Sequence, residues 1–432
     1  MNQSLAGYIP IMLCCILVSF FYFPFEFVAL PGINTKMMLA VLGLAFVTYD
    51  LLKLKSPSIP SAFLFLLIIA FTVSLVSLLS ITINHTSDTS YVSYIISFSV
   101  WLSGAYAVCH LIDITHGSIS VQLVLDYLIA VCLLQCVSAL WIDASPNLAL
   151  LVNSTIDFGQ DVSLGVKRLY GFGATLDVAG SRFAAVLVGL GYYLSEINKP
   201  LSSQRRCIYI VCFLLISVIG NMIARTTTTG MIIALLIISI GSLDRTKNIT
   251  ENHLSTFISW AGILLAGLFI CIYLYNSDPH AHKLFRFAFE GLFNLIENGR
   301  WEVNSNTRLK TMIVYPETLH TWFIGDGYFL SPHFDRNYLG EATDLGYYMG
   351  TDVGYLRFIF YFGVVGLIPM MGVIIYSAVI CMRRFREERL LFLMALAVGL
   401  IVWLKVSTDI FCFFALFLSA AALLQDPAEN DA

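Results

Sequence analysis

The chain has 432 residues, of which 58% are hydrophobic and only 12% charged, and its mean hydropathy is +0.81. A soluble globular chain carries about 25% charged residues, so water is not the solvent for most of this surface. With 24 Lys+Arg against 28 Asp+Glu the formal charge is -4, which excludes a nucleic-acid binder that works through a basic face. The ten cysteines lie in or at the edges of apolar runs, and no CxxC pair or His/Cys cluster has the spacing of a zinc site. Neither a metal nor a cofactor is expected. The class is an all-α, polytopic membrane protein.

A helix that crosses the hydrocarbon core needs roughly 20 mostly apolar residues. That rule predicts about twelve transmembrane helices. In chain order they fall near residues 8–30, 36–53, 60–82, 92–112, 119–141 and 180–197, then 206–224, 226–243, 256–276, 353–382, 388–406 and 408–424. Met1–Pro10 lacks the basic start of a cleavable signal. Basic residues follow the second span (Lys53, Lys55), the sixth (Lys199, Arg205, Arg206), the eighth (Arg245, Lys247) and the tenth (Arg383, Arg384, Arg386, Arg389). All these connections lie on one side, which the positive-inside rule makes cytoplasmic. Both termini, including the tail 425–432, are then cytoplasmic, and two long loops, near 142–180 and 277–352, cap a single membrane domain on the outside. Within the second loop, Leu284, Phe285, Ala288, Phe289, Leu292, Phe293 and Ile296 recur at helical spacing, with Lys283, Arg286, Glu290 and Glu297 off that face. This predicts one helix over 281–298 that either lies on the outer leaflet or packs over the spans as a lid.

Several cations depart from the positive-inside bias. Arg225 sits in Asn221-Met-Ile-Ala-Arg-Thr-Thr-Thr-Thr-Gly230, a tight outer turn with four hydroxyls. Arg168 lies in the glycine-rich Lys167-Arg-Leu-Tyr-Gly-Phe-Gly173, and Arg308 closes Asn304-Ser-Asn-Thr-Arg308. A lone arginine of this kind can be a snorkelling or solvated residue. Three arginines set beside small and hydroxylated residues instead suit an anion such as a phosphate, because guanidinium offers paired planar donors that stay charged. The span interiors hold almost no Asp, Glu, Lys or Arg, unlike those of ion-coupled carriers, so chemistry is expected at the interface. Lys405 and Asp409 form an expected local ion pair at i, i+4 spacing.

At these residues the chain resembles the bacterial O-antigen polymerase and O-antigen ligase superfamily. The resemblance rests on Ile223-Ala-Arg225-Thr-Thr-Thr-Thr-Gly230, on Arg308 followed by Trp322-Phe-Ile-Gly325-Asp-Gly327-Tyr-Phe, and on Thr351-Asp352-Val-Gly-Tyr355-Leu-Arg357-Phe-Ile-Phe-Tyr-Phe-Gly363. It covers about residues 165–380, and the first five spans match in hydropathy alone. Ligases carry a histidine near Asp352, which favours the polymerase form. The polymerase arginine and glycine separated by ten residues are not matched by Arg168, because Gly180 lies one residue too far.

The resemblance implies a metal-independent glycosyltransferase of the cytoplasmic membrane. Its substrate would be an undecaprenyl-diphosphate-linked oligosaccharide, its product an O-antigen or capsule polysaccharide, and its partner a chain-length regulator protein. Arg225, Arg308 and Arg168 would hold the diphosphate, and Asp352 would be the general base or, equally, the N-cap of the tenth span. Asp326, Gly327, Tyr328, Tyr355 and Arg357 would contact sugar or diphosphate, with His320 and His333 as other bases. The rival functions are a ligase and a twelve-span transporter or flippase of lipid-linked oligosaccharide. A transporter would show two related halves and polar midplane residues, which the sequence lacks.

Overall fold

A computed structural model of the chain describes residues 5–53, 61–158, 168–197, 200–245, 252–332, 346–408 and 410–424. Among these, the first half runs α1 (Leu5–Tyr22), β1 (Glu26–Phe27), α2 (Thr35–Lys53), α3 (Ser61–Asn84), α4 (Tyr94–His116) and α5 (Val121–Ala144). Next come α6 (Pro146–Thr155), β2 (Ile156–Asp157), α7 (Leu176–Ser195), α8 (Ser203–Ile223), α9 (Thr227–Arg245) and α10 (Asn252–Ser277). Four short helices follow: α11 (Pro279–Ala288), α12 (Glu290–Asn298), α13 (Asn304–Thr311) and α14 (Leu319–Phe323). The chain closes with α15 (Gly354–Arg384), α16 (Arg389–Val402) and α17 (Phe411–Leu423). The tail 425–432, Lys167, His333 and the Lys405–Asp409 pairing lie outside the described residues.

Seven helices, α2, α3, α4, α5, α7, α8 and α15, are long and apolar enough to cross a membrane. Shorter apolar stretches at Tyr8–Tyr22, Thr227–Gly241, Leu265–Ser277, Arg389–Val402 and Phe411–Leu423 fall on the other five expected segments. The solvent of this surface is legible on α3. Its 24 residues, at 1.5 Å rise each, span about 36 Å. It buries Leu66, Ala70 and Val73 yet leaves Leu64, Phe65, Ile68, Phe71 and Leu75 exposed. A helix apolar on both its buried and its open face is built for lipid.

Three expectations need correction. The first span does not reach residue 30, because α1 stops at Tyr22 before Pro24, and Glu26 and Phe27 pair antiparallel with Asp157 and Ile156. This small ribbon qualifies the all-α reading. The helix expected over 281–298 is two helices, broken at Phe289 (φ -117, ψ 31). The tenth span is a helix that breaks inside, at Phe362 (φ -138) and Gly363 (φ 66, ψ -174).

The fold divides into two compact units. The first comprises Met1–Thr35, Ser120–Glu302 and Glu387–Val398. Its axis is α7, buried along nearly its whole length and packed on α9 through residues without bulk. A Cβ placed on Gly230 would lie 2.3 Å from Ala184 Cα, and one on Gly191 would lie 2.6 Å from Ala234 Cβ. At the α8–α9 turn a Cβ on Gly180 would lie 2.9 Å from both Ala224 Cβ and Thr226 Cβ. Small residues let membrane helices approach until their backbones touch, the usual source of adhesion where lipid removes the hydrophobic drive.

The second unit comprises Lys36–Ile119, Val303–Arg386 and Gly399–Ala432. Here α3 packs on α15, and α4 packs on α17, where Phe98 stacks on Phe411 at 4.8 Å between centroids. The break in α15 frees backbone carbonyls that lipid could not satisfy. The Phe360 and Tyr361 carbonyls instead accept from the backbone N–H groups of Asp326 (2.6 Å) and Gly327 (3.1 Å), and Ser80 Oγ donates to the Tyr361 carbonyl at 2.7 Å. Gly363 lets the broken turn meet α14, since a Cβ there would sit 2.1 Å from the Phe323 carbonyl oxygen.

Gly230→Ala is expected to cost about 1–3 kcal/mol through overpacking and to lower the Tm of detergent-purified protein. Gly372→Ala, whose Cβ would meet only Ile69 Cγ2 at 3.4 Å, serves as the neutral control. Equal melting of the two variants would contradict the α7–α9 contact.

Candidate functional site

In the first unit the chain before α7 is drawn toward the end of α8 by a hydrogen bond from Leu169 N–H to the Met222 carbonyl (3.2 Å). Gly173 (φ 81) permits this path beside the Phe23 carbonyl, 2.3 Å from where a Cβ would stand. The α8–α9 turn is itself a run of tight turns, with the N–H groups of Thr227, Thr228 and Thr229 donating to the carbonyls of Ala224, Arg225 and Thr226. These two paths bring Arg168 and Arg225 together. Their guanidinium carbons lie 5.5 and 4.7 Å from the centroid of one ring, Phe287 on α11. Like charges this close repel. Burial and the neighbouring Arg225 charge hold the Arg168 pKa below its ordinary value, against the pull of Asp177.

The partners of these cations are unequal. Arg225 Nη1 donates to Glu290 Oε2 at the start of α12, with both side chains largely buried, 17% and 18% exposed. Arg168 Nε is buried and has no hydrogen-bond partner among the described residues. Three of the four hydroxyls of the turn are occupied by the fold. Thr226 donates to Asp177, Thr227 to the Gly220 carbonyl at 3.1 Å, and Thr228 to Asn221 Oδ1 at 2.6 Å. What the turn presents to a ligand is therefore chiefly guanidinium.

In the second unit the Gly325-Asp-Gly327 stretch is clasped from the α3–α4 connection. Asn84 Nδ2 donates to the Gly325 carbonyl and Thr86 Oγ1 to the Gly327 carbonyl, both at 2.9 Å. Asp88 Oδ2 accepts from the N–H groups of Phe329 (2.8 Å) and Leu330 (3.0 Å). The clasp fixes Asp326, whose carboxylate accepts from Thr321 Oγ1 (2.7 Å) and Tyr348 OH (3.2 Å). Burial nevertheless raises its pKa, with both hydrogen bonds opposing. Tyr328 is buried and its ring lies 5.3 Å from that of Tyr348. Gly327 adopts φ 75 and serves the loop's geometry.

Asp352 is half-buried and lies just before α15, yet it is not the cap: Val353 occupies that position, and Thr351 Oγ1 accepts the Val353 N–H at 3.3 Å. Arg357, one turn into α15, is only 5% exposed and is held between the Phe329 and Tyr347 rings at 3.7 and 3.8 Å. It donates to Ser407 Oγ (2.6 Å) and the Phe329 carbonyl (3.3 Å), while its Nε has no partner among the described residues. The Tyr355 hydroxyl is committed to the Leu400 carbonyl at 2.9 Å, which gives it a packing role. Arg308 is exposed on α13, where neighbouring Leu309 packs on Val353, Leu356 and Phe360. His320 is exposed, near enough to Asp326 to act on its charge.

Sequence reasoning missed Phe287, Glu290, Asp177 and Asp88. Only Glu290 carried a signal, as a carboxylate off the apolar face of its helix. The raised pKa of Asp326 gives a sign for pH dependence. The folded state binds this proton more readily than the unfolded chain, so stability is gained below the folded pKa and lost as pH rises through the window from the ordinary carboxylate value upward. Relative to Asp326→Asn, the wild-type Tm should fall as pH rises from about 4. A pH-independent difference would contradict the burial of this carboxylate. No protein-family model and no curated protein matches the chain.

Proposed function

We propose that the chain is a polysaccharide polymerase of the bacterial cytoplasmic membrane that joins oligosaccharide repeat units carried on undecaprenyl diphosphate. In this reading all twelve apolar helices cross the bilayer, both termini are cytoplasmic, and the α8–α9 turn with α11 and α12 faces outward. The observation that carries it is the pair of guanidiniums around Phe287, one of them with a buried N–H that has no acceptor among the described residues. Two cations gathered against their mutual repulsion are suited to a ligand with more than one negative charge.

In the reaction, an acceptor sugar hydroxyl forms a new bond to the anomeric carbon of the donor chain as the bond from that carbon to the diphosphate breaks. The departing electron pair goes to the lipid diphosphate, where Arg225 and Arg168 stabilise the charge as it develops. The hydroxyl proton goes to a general base, the role that the sequence resemblance gives to Asp352. Asp326 and Tyr328 contribute to sugar recognition, and Arg357 holds the Phe329 segment in place. Arg308, exposed on α13, is assigned to capture of the anionic substrate rather than to the reacting bond.

Purified protein given a lipid-linked repeat unit in vesicles should yield a ladder of lengthened products. Transfer to a second lipid would instead mean a ligase, and translocation without new bonds a transporter. Arg225→Lys, which keeps the charge and loses the planar donors, should lower the rate on the order of 10²-fold with normal insertion. Asp352→Asn should abolish bond formation while donor binding survives, and an active Asn variant would reject Asp352 as the base.

A further inference from the structure

The anion site of the first unit is already filled by a carboxylate of the chain itself. Glu290 is the first residue of α12, immediately after the break at Phe289, and its Oε2 accepts from Arg225 Nη1. Among the described residues, α12 has few buried anchors. It buries only Gly291, and Ile296 is 80% exposed, with Leu292 and Leu295 also open. Among the described residues, further ties are local: Phe293 stacks on Tyr275 at 5.2 Å, Arg286 Nη2 meets Glu297 Oε2 at 2.5 Å, and Asn294 Nδ2 donates to the Glu302 carbonyl at 2.6 Å. The Arg286–Glu297 pair is open to solvent on both sides, where such pairs contribute little. The largely buried Arg225–Glu290 pair is the polar tie between α12 and the α8–α9 turn.

We propose that Glu290 is a built-in counter-anion that latches α12 over Arg225 and that a diphosphate headgroup must displace to bind. The proposal rests on the reading of Arg168 and Arg225 as a diphosphate site and adds how that site is gated. Glu290 pairs with Arg225 and Asp177 acts on Arg168, yet Arg168 Nε has no acceptor among the described residues, whereas a diphosphate carries enough charge and acceptor oxygens for both guanidiniums. The exposed Leu292, Leu295 and Ile296 give α12 an apolar face within two turns of its latch residue, so the source that fits is a lipid-linked diphosphate rather than a free one. Once released, that face has lipid to lie on, and binding of the headgroup and opening of the helix become one event.

The test uses the full chain in nanodiscs, with inorganic pyrophosphate and a long-chain polyprenyl diphosphate as separate probes. Glu290→Gln removes the competing charge and keeps the side-chain shape, so both probes should bind about tenfold more tightly than to wild type, a change of about 1.4 kcal/mol. A fluorophore at an Ile296→Cys position in a Cys207→Ser background should become mobile when wild type binds pyrophosphate, and be mobile already when Gln stands at 290. Arg225→Ala should abolish binding in either background. Unchanged or weaker affinity in Glu290→Gln, with wild-type binding still dependent on Arg225, would overturn the latch and leave the anion site standing. Binding that ignores Arg225→Ala, or no binding to wild type and Glu290→Gln alike, would overturn the anion site and the latch together. Tightening for the polyprenyl probe alone would assign the effect to the chain and overturn the counter-anion role.

Discussion

Gathering two guanidinium groups around one aromatic ring at the edge of an apolar bundle is unfavourable on its own, because burial and mutual repulsion both oppose it. Arg168 and Arg225 are held there by backbone that cannot easily yield. Gly180, Gly191 and Gly230 bring α7 within backbone contact of the α8–α9 turn and α9, and the Leu169–Met222 hydrogen bond lays the segment bearing Arg168 beside that turn. The close packing of small residues is thus the cause, and the charge pair its consequence. Asp177 and Glu290 offset part of the repulsion, and the unanswered Arg168 Nε is what remains.

The second unit solves a different problem of the same solvent. A broken helix in an apolar setting exposes carbonyls, and each must find a donor. The Asp326-Gly327 backbone supplies them, which explains why the glycine-flanked loop and the start of α15, far apart in sequence, act as one structure. The clasp from Asn84, Thr86 and Asp88 then fixes the loop, and with it the Asp326 carboxylate. Arg357 belongs to this scaffold: two rings and two acceptors hold it in place.

Hydropathy carries the helices because lipid demands long apolar runs: seven of the expected segments hold a helix long and apolar enough to cross a membrane, and the other five hold shorter apolar stretches. It does not carry their ends. Nothing in the period of apolar residues distinguishes one helix over 281–298 from two that meet at Phe289, since the apolar stripe continues through the break. The pairing of Glu26-Phe27 with Ile156-Asp157 joins residues about 130 apart in sequence and leaves no local trace. For the candidate sites, Arg225 was legible as a cation outside the basic loops, but its pairing with Glu290 was not, because long-range ion pairs have no spacing rule. Arg308 carried the same sequence signal as Arg225 and is exposed, while Arg357, expected to contact sugar or diphosphate, is deeply buried. Neighbouring residue types cannot report whether a side chain points inward, and that difference separates these three arginines.

The most direct test is a structure of the full chain in nanodiscs with a polyprenyl diphosphate bound. Phosphate density within hydrogen-bond reach of both Arg168 and Arg225 is the predicted result. Density elsewhere, with Glu290 still seated on Arg225, would contradict the account.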